Sequence, residues 1–156
     1  MKRIIGVLMV FLFVFTVISG CTKQESKQET EEEVMETVEE KDMKLYINKE
    51  EITVTWADNE AVSALKKKAE EGEITVELSM YGGFEQVGSL GFSLPRNDVQ
   101  TVTESGDIVL YNGNNIVLFY GSNSWSYTRL GKMEITSEEA EEYLSHGDVT
   151  ITIKAE

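Results

Sequence analysis

The chain has 156 residues, with 28 acidic against 14 basic side chains and a formal net charge of −14. Such a surface repels phosphate backbones and anionic headgroups, which sets nucleic acid aside as a partner. One cysteine, Cys21, and one histidine, His146, leave no intramolecular disulfide and no His/Cys metal site, and no motif asks for a cofactor.

Lys2-Arg3 precede a nearly unbroken apolar run, Ile4 to Ile18, which is followed by Ser19, Gly20 and Cys21. A charged start, an apolar stretch and small residues have the layout of an export signal. The stretch resembles a bacterial lipoprotein signal, with Ile18-Ser19-Gly20-Cys21 as its lipobox. The resemblance implies cleavage before Cys21, lipidation of that thiol, and attachment to the extracytoplasmic face of a bacterial membrane. An uncleaved membrane helix is the alternative, but the run falls short of the roughly 20 residues a spanning helix needs. A thiol reserved for lipid is not a catalytic nucleophile. Loss of residues 1–20 removes two basic and no acidic side chains, so the mature charge becomes −16.

Residues 21–42 read as the lipidated cysteine and an acidic, disordered tether. From Thr22 to Asp42 there is no aromatic residue and no glycine, and nine of 21 residues are acidic. So much charge with so little apolar surface repays ordering poorly. A short surface helix over Glu31–Glu40 is the alternative. Residues 43–156 then form one small domain with one core.

Within that domain, Lys44 to Ile47 and Ile52 to Trp56 alternate apolar and polar residues around Asn48-Lys49-Glu50, which predicts a β-hairpin. Asp58 or Asn59 caps a helix whose apolar stripe is Ala61, Val62, Leu65 and Ala69, and Gly72 ends it. Ile74, Val76 and Leu78 alternate as a strand. Asp107–Tyr111 and Ile116–Tyr120 flank Asn112-Gly113, a strong hairpin signal. Ser124 to Leu130 forms another strand. Thr136 or Ser137 opens a second helix, with Glu139 placed for a capping box if Thr136 is the cap. Ala140, Tyr143 and Leu144 form its stripe, Gly147 ends it, and Val149, Ile151 and Ile153 make a last strand. About eight short strands and two helices, without βαβ alternation, predict a mainly β, closed and mostly antiparallel barrel with helices over its ends.

Trp56-Ala57-Asp58-Asn59, Tyr81-Gly82-Gly83-Phe84-Glu85, Ser93-Leu94-Pro95-Arg96-Asn97-Asp98, Gly106-Asp107-Ile108-Val109-Leu110-Tyr111 and the run from Tyr120 to Gly131 resemble the bacterial cyclophilin-like domain family. The resemblance covers nearly all of Met43 to Ile135 and implies a closed eight-stranded barrel with two short helices. True cyclophilins are prolyl isomerases that place an arginine beside an apolar proline pocket. Their Phe-His-Arg signature is absent here, and a fold does not carry a function by itself.

Two functions follow from this reading. The first is a membrane-anchored binding domain for a peptide or small ligand, with Phe84, Gln86, Phe92, Trp125 and Tyr127 as candidate contacts. Phe84, Phe92, Tyr111, Phe119, Trp125 and Tyr127 are equally suited to core packing, and Gln86 to a solvated position. Trp125 and Tyr127 share strand parity, which suits them to rim a cleft. The second is a weak peptidyl-prolyl isomerase acting on exported proteins, with Arg96 as the donor that stabilises a twisted amide. The plainer role for Arg96 is to tie down its own loop.

Overall fold

The computed structural model describes residues 41–156. The expected export signal, the expected lipidation site Cys21 and the expected tether up to residue 40 lie outside the described residues. In chain order the elements are β1 (Met43–Ile47), β2 (Glu50–Ile52), β3 (Val54–Trp56), α1 (Glu60–Glu71), β4 (Ile74–Tyr81), β5 (Glu85–Ser89), β6 (Val99–Val102), β7 (Asp107–Tyr111), β8 (Asn115–Phe119), β9 (Ser124–Met133), α2 (Ser137–Leu144) and β10 (Val149–Ala155).

Nine strands follow one hydrogen-bonded path, β2-β1-β10-β4-β5-β8-β7-β9-β3, and β6 adds to β9 beside it. Each pairing is antiparallel. The two ends of the path, β2 and β3, are separated in sequence by Thr53 alone. β2 pairs with β1, and β3 pairs with β9. Thr53 therefore carries the chain from one margin of the sheet to the other, and its carbonyl accepts the Glu134 N–H at 2.9 Å. The result is a nearly closed barrel that leaves little edge exposed.

The eight-strand, fully closed expectation needs correcting here. The expected hairpin arm Ile52–Trp56 breaks at Thr53 and divides between two partners, so the path holds nine strands. β6 was not anticipated either. Its short Val-Gln-Thr-Val sequence is mostly exposed and carries no burial pattern.

Alternation decides what each face holds. Inward residues such as Leu45, Ile47, Leu78, Ile108, Leu118 and Ile151 are fully buried in one large core. α1 adds Ala61, Val62, Leu65 and Ala69, the stripe read from the sequence, with Asn59 Oδ1 accepting from the Val62 N–H at 3.0 Å. α2 starts at Thr136 with the expected capping box to Glu139. Asn112 and Gly113 turn the β7–β8 hairpin, both with positive φ. A second, smaller apolar cluster of Val109, Val117, Phe119 and Tyr127 occupies the opposite face of the same strands. Asp42 and Glu156 exchange reciprocal backbone hydrogen bonds of 2.9 Å just outside β1 and β10.

A chain of residues 41–156 is expected to unfold in one cooperative thermal transition. Leu118→Ala, at a fully buried site, should cost about 2–5 kcal/mol in denaturant unfolding, whereas Val102→Ala, at 67% exposure, should stay within about 0.5 kcal/mol.

Candidate functional site

The second apolar cluster floors a cavity of about 360 Å³ lined by Tyr81, Glu85, Val87, Tyr111, Val117, Asn123 and Tyr127. Its volume lies within the roughly 300–1,000 Å³ typical of ligand sites. Strand register explains the set. Tyr81 on β4 faces Glu85 on β5, and Val87 faces Val117 on β8. Tyr127 closes the far side on β9, its ring 6.2 Å from Tyr111 and 5.8 Å from Phe119, both edge-on. The Tyr127 hydroxyl accepts a hydrogen bond from Asn123 Nδ2 at 2.9 Å.

The β4–β5 turn lies against the loop that leaves β8. Backbone N–H groups of Tyr120 and Gly121 both donate to the Phe84 carbonyl at 3.0 Å. A Cβ on Gly121 would lie 2.7 Å from Phe84 Cβ, so this approach requires glycine. The contact fixes Glu85, the next residue, at the cavity wall.

Glu85 is 6% exposed, and its Oε2 is buried without a hydrogen-bond partner. Burial pushes its carboxyl up to about 7. Burial also raises the Tyr127 hydroxyl, and the neighbouring Glu85 charge adds to that. Asp107 shows the opposite outcome. It too is buried, which by itself would raise its carboxyl. The Glu104 backbone N–H at 3.0 Å, Arg129 at 2.9 Å and Lys132 at 3.2 Å outweigh that and hold it below the usual range. Asp107 is a satisfied structural ion pair, and Glu85 is not.

The residues singled out from the sequence scatter. Tyr127 lines the cavity. Trp125 lies two residues along the same strand, opposite Thr101 of β6, and is 58% exposed. Phe84 stacks on Phe119 with ring centroids 6.5 Å apart, behind the cavity rather than on its wall. Phe92 packs against the large core. Gln86 is fully buried on the inward face, which corrects the expectation of a solvated position. Its Nε2 donates to the carbonyls of Leu144 at 2.6 Å and Gly147 at 2.7 Å, tying the end of α2 to the barrel.

Arg96 is exposed, and its Nε donates to Asp98 Oδ2 at 3.0 Å while Nη2 pairs with the same oxygen. Asp98 Oδ1 accepts from Thr128 Oγ1 at 2.6 Å, and Thr128 Oγ1 accepts from the Asn97 N–H at 2.8 Å. These bonds clasp the segment before β6 onto β9.

Sequence reasoning missed Glu85, Tyr81, Val87, Val117 and Asn123 as site residues. A glutamate beside a Gly-Gly turn reads as solvated, and the alternation that would have shown otherwise restarts at that turn.

A larger depression of about 630 Å³ lies over β1, β10 and β4, but its Lys154 and Glu73 pair with each other at 3.0 Å. Among the described residues no group of three or more His, Cys, Asp or Glu side chains is placed to hold a metal ion.

Comparison with known families matches residues 45–154 to the Cyclophilin-like family, and the chain belongs to it. No curated protein and no solved structure matches the chain.

Because folding raises the Glu85 carboxyl to about 7, its protonated form is the favoured one in the native state. The stability this provides is full below the unfolded value near 4.3 and is lost as pH rises through about 7. Glu85→Gln should therefore match the wild type at pH 4 and exceed it at pH 8, by no more than about 4 kcal/mol. Parallel stability curves from pH 4 to pH 8 would contradict the placement of Glu85.

Proposed function

We propose that this cyclophilin-like domain is a binding module whose outer-face cavity takes a small organic ligand. We place it, as a lipid-anchored protein, on the extracytoplasmic face of a bacterial membrane. The observation that carries the binding reading is the Glu85 carboxylate, buried and unpartnered in a cavity walled by tyrosine and valine. Burying an ionisable group without a partner is costly. Such groups concentrate where a ligand or reaction uses them. Trp125 and Val99, both more than half exposed on the β6–β9 ribbon, extend apolar surface outward from Tyr127. They offer a longer ligand, such as a peptide, a second area of contact.

The anchor reading rests on sequence: Lys2-Arg3, the apolar run to Ile18, and the lipobox ending at Cys21. Residues 21–42 act in this view as a spacer between membrane and domain, and residues 43–156 as the binding unit.

Weak prolyl isomerisation through Arg96 is the competing reading. In its favour, Arg96 borders a depression of about 390 Å³ together with Asn59, Glu60, Ala61, Pro95, Asn97 and Thr128. Against it, Asp98 already occupies the Nε/Nη2 edge of the guanidinium, and none of those lining residues is aromatic. A twisting prolyl bond needs a dry pocket and free donors.

Nuclear magnetic resonance on residues 41–156 separates the two. Titration with a set of small organic solutes should shift amides around Tyr111, Val117 and Asn123. Exchange of an Xaa-Pro peptide should run at its uncatalysed rate with both the wild type and Arg96→Ala. Acceleration by the wild type, lost in a folded Arg96→Ala protein, would replace the binding module with an enzyme.

A further inference from the structure

Resting on the reading of the cavity as a ligand site, we infer that its ligand carries an organic ammonium group, held between the Glu85 carboxylate and the rings of Tyr111 and Tyr127. Three features of the cavity select a cation. Its wall holds one carboxylic acid and no lysine, arginine or histidine. The nearby cations of β9, Arg129 and Lys132, are committed to Asp107. Glu85 Oε2 has no donor from the protein, so a positively charged group would supply the missing partner.

The aromatic geometry points the same way. Tyr111 and Tyr127 meet at 65° with centroids 6.2 Å apart, forming a corner rather than a parallel stack. Tyr81, 67% exposed, stands at the rim. Ring faces carry negative electrostatic potential, and several rings around one ammonium group are a recurrent way to bind it. An anionic ligand would meet these faces and a carboxylate together. The acidic surface of the whole chain further enriches cations near the domain.

A proton is exchanged in this binding. Below the Glu85 midpoint the carboxyl is protonated and neutral, so an arriving ammonium ion displaces one proton to solvent. Above it the carboxylate is already formed and no proton leaves. The titratable groups facing Glu85 across the cavity are Tyr81 from β4, Tyr111 from β7 and Tyr127 from β9; β8 contributes Val117. Burial raises the Tyr127 hydroxyl, and Glu85 is the one carboxylic acid in the wall, so Glu85 sets the pH response.

The test is calorimetric titration of the full chain, held in nanodiscs, with matched cationic and neutral probes. Choline is paired with 3,3-dimethylbutan-1-ol, and phenethylamine with 2-phenylethanol. The ammonium member of a pair should bind more tightly at pH 8. Its affinity should fall about tenfold for each pH unit below 7, following the ionised fraction of Glu85. Proton release should approach about one per ligand at pH 6 and vanish at pH 8.5. Glu85→Gln should abolish the preference for the cation while leaving the neutral probe unaffected. Tyr111→Leu should weaken the ammonium probe more than its isostere.

Equal binding of both members, independent of pH, would overturn the ammonium assignment and leave the cavity as a ligand site. Tighter binding of a neutral probe below pH 7 would also overturn it, since Glu85 would then be acting as a hydrogen-bond donor. Absence of binding by every probe, with resonances around the cavity unmoved by any solute, would remove the underlying site as well.

Discussion

β9 has to satisfy three strands at once, and the rest of the structure follows from how it does so. One of its edges pairs with β7 from Thr128 to Lys132. The other pairs with β6 over Ser124–Tyr127 and then with β3 over Gly131–Met133. The β3 pairing closes the barrel, because β3 is continuous through Thr53 with the strand at the opposite end of the path. The β6 pairing builds the ribbon beside the cavity. An irregularity between Ile108 and Val109 places the extra residue, Leu130, on β9. A bulge of this kind resets the alternation, so Leu130 and Met133, three residues apart, both lie in the large core, while Tyr127 before the bulge sits in the second cluster.

Glu85 and Asp107 are a natural comparison within one protein. Both are carboxylates more than nine-tenths buried on the outward side of this sheet. Asp107 receives a backbone N–H and two cations, and its carboxyl moves down. Glu85 receives nothing at Oε2 and moves up. The protein has cations within reach of β9 and spends both on Asp107. An unpartnered carboxylate lowers stability, and replacement by a neutral isostere would relieve that loss. Its position in the wall of a cavity of ligand size is the physical basis of the binding proposal. Arg96, by contrast, is explained by a loop clasp to Asp98, Thr128 and Asn97 that needs no ligand.

Much of the fold was legible because its signals are local. Caps at Asn59 and Thr136, helical stripes and the Asn112-Gly113 turn each depend on residues a few positions apart. The break at Thr53 was not legible, since Ile52 to Trp56 alternates smoothly and only distant partners divide it. β6 was missed because its valines are exposed and its one partner lies more than 20 residues away. At the site, Tyr127 could be read from its parity with Trp125. Glu85 could not, because the Gly82-Gly83 turn restarts the alternation and a charged residue there reads as solvent-facing. Gln86 was misjudged for the same reason. The residue inward of the turn looked polar and exposed, yet it caps the end of α2 from inside the barrel.

The central claim is that Glu85 carries an unpartnered carboxyl into a ligand cavity. The most direct measurement is a carbon-13 titration of the glutamate side-chain carboxyls in residues 41–156, with the Glu85 signal assigned by its loss in Glu85→Gln. The expected midpoint is near 7, well above the ordinary glutamate value of about 4.3. A midpoint close to the ordinary value would mean that the carboxyl is hydrated or paired, and it would remove the reason for placing a ligand there.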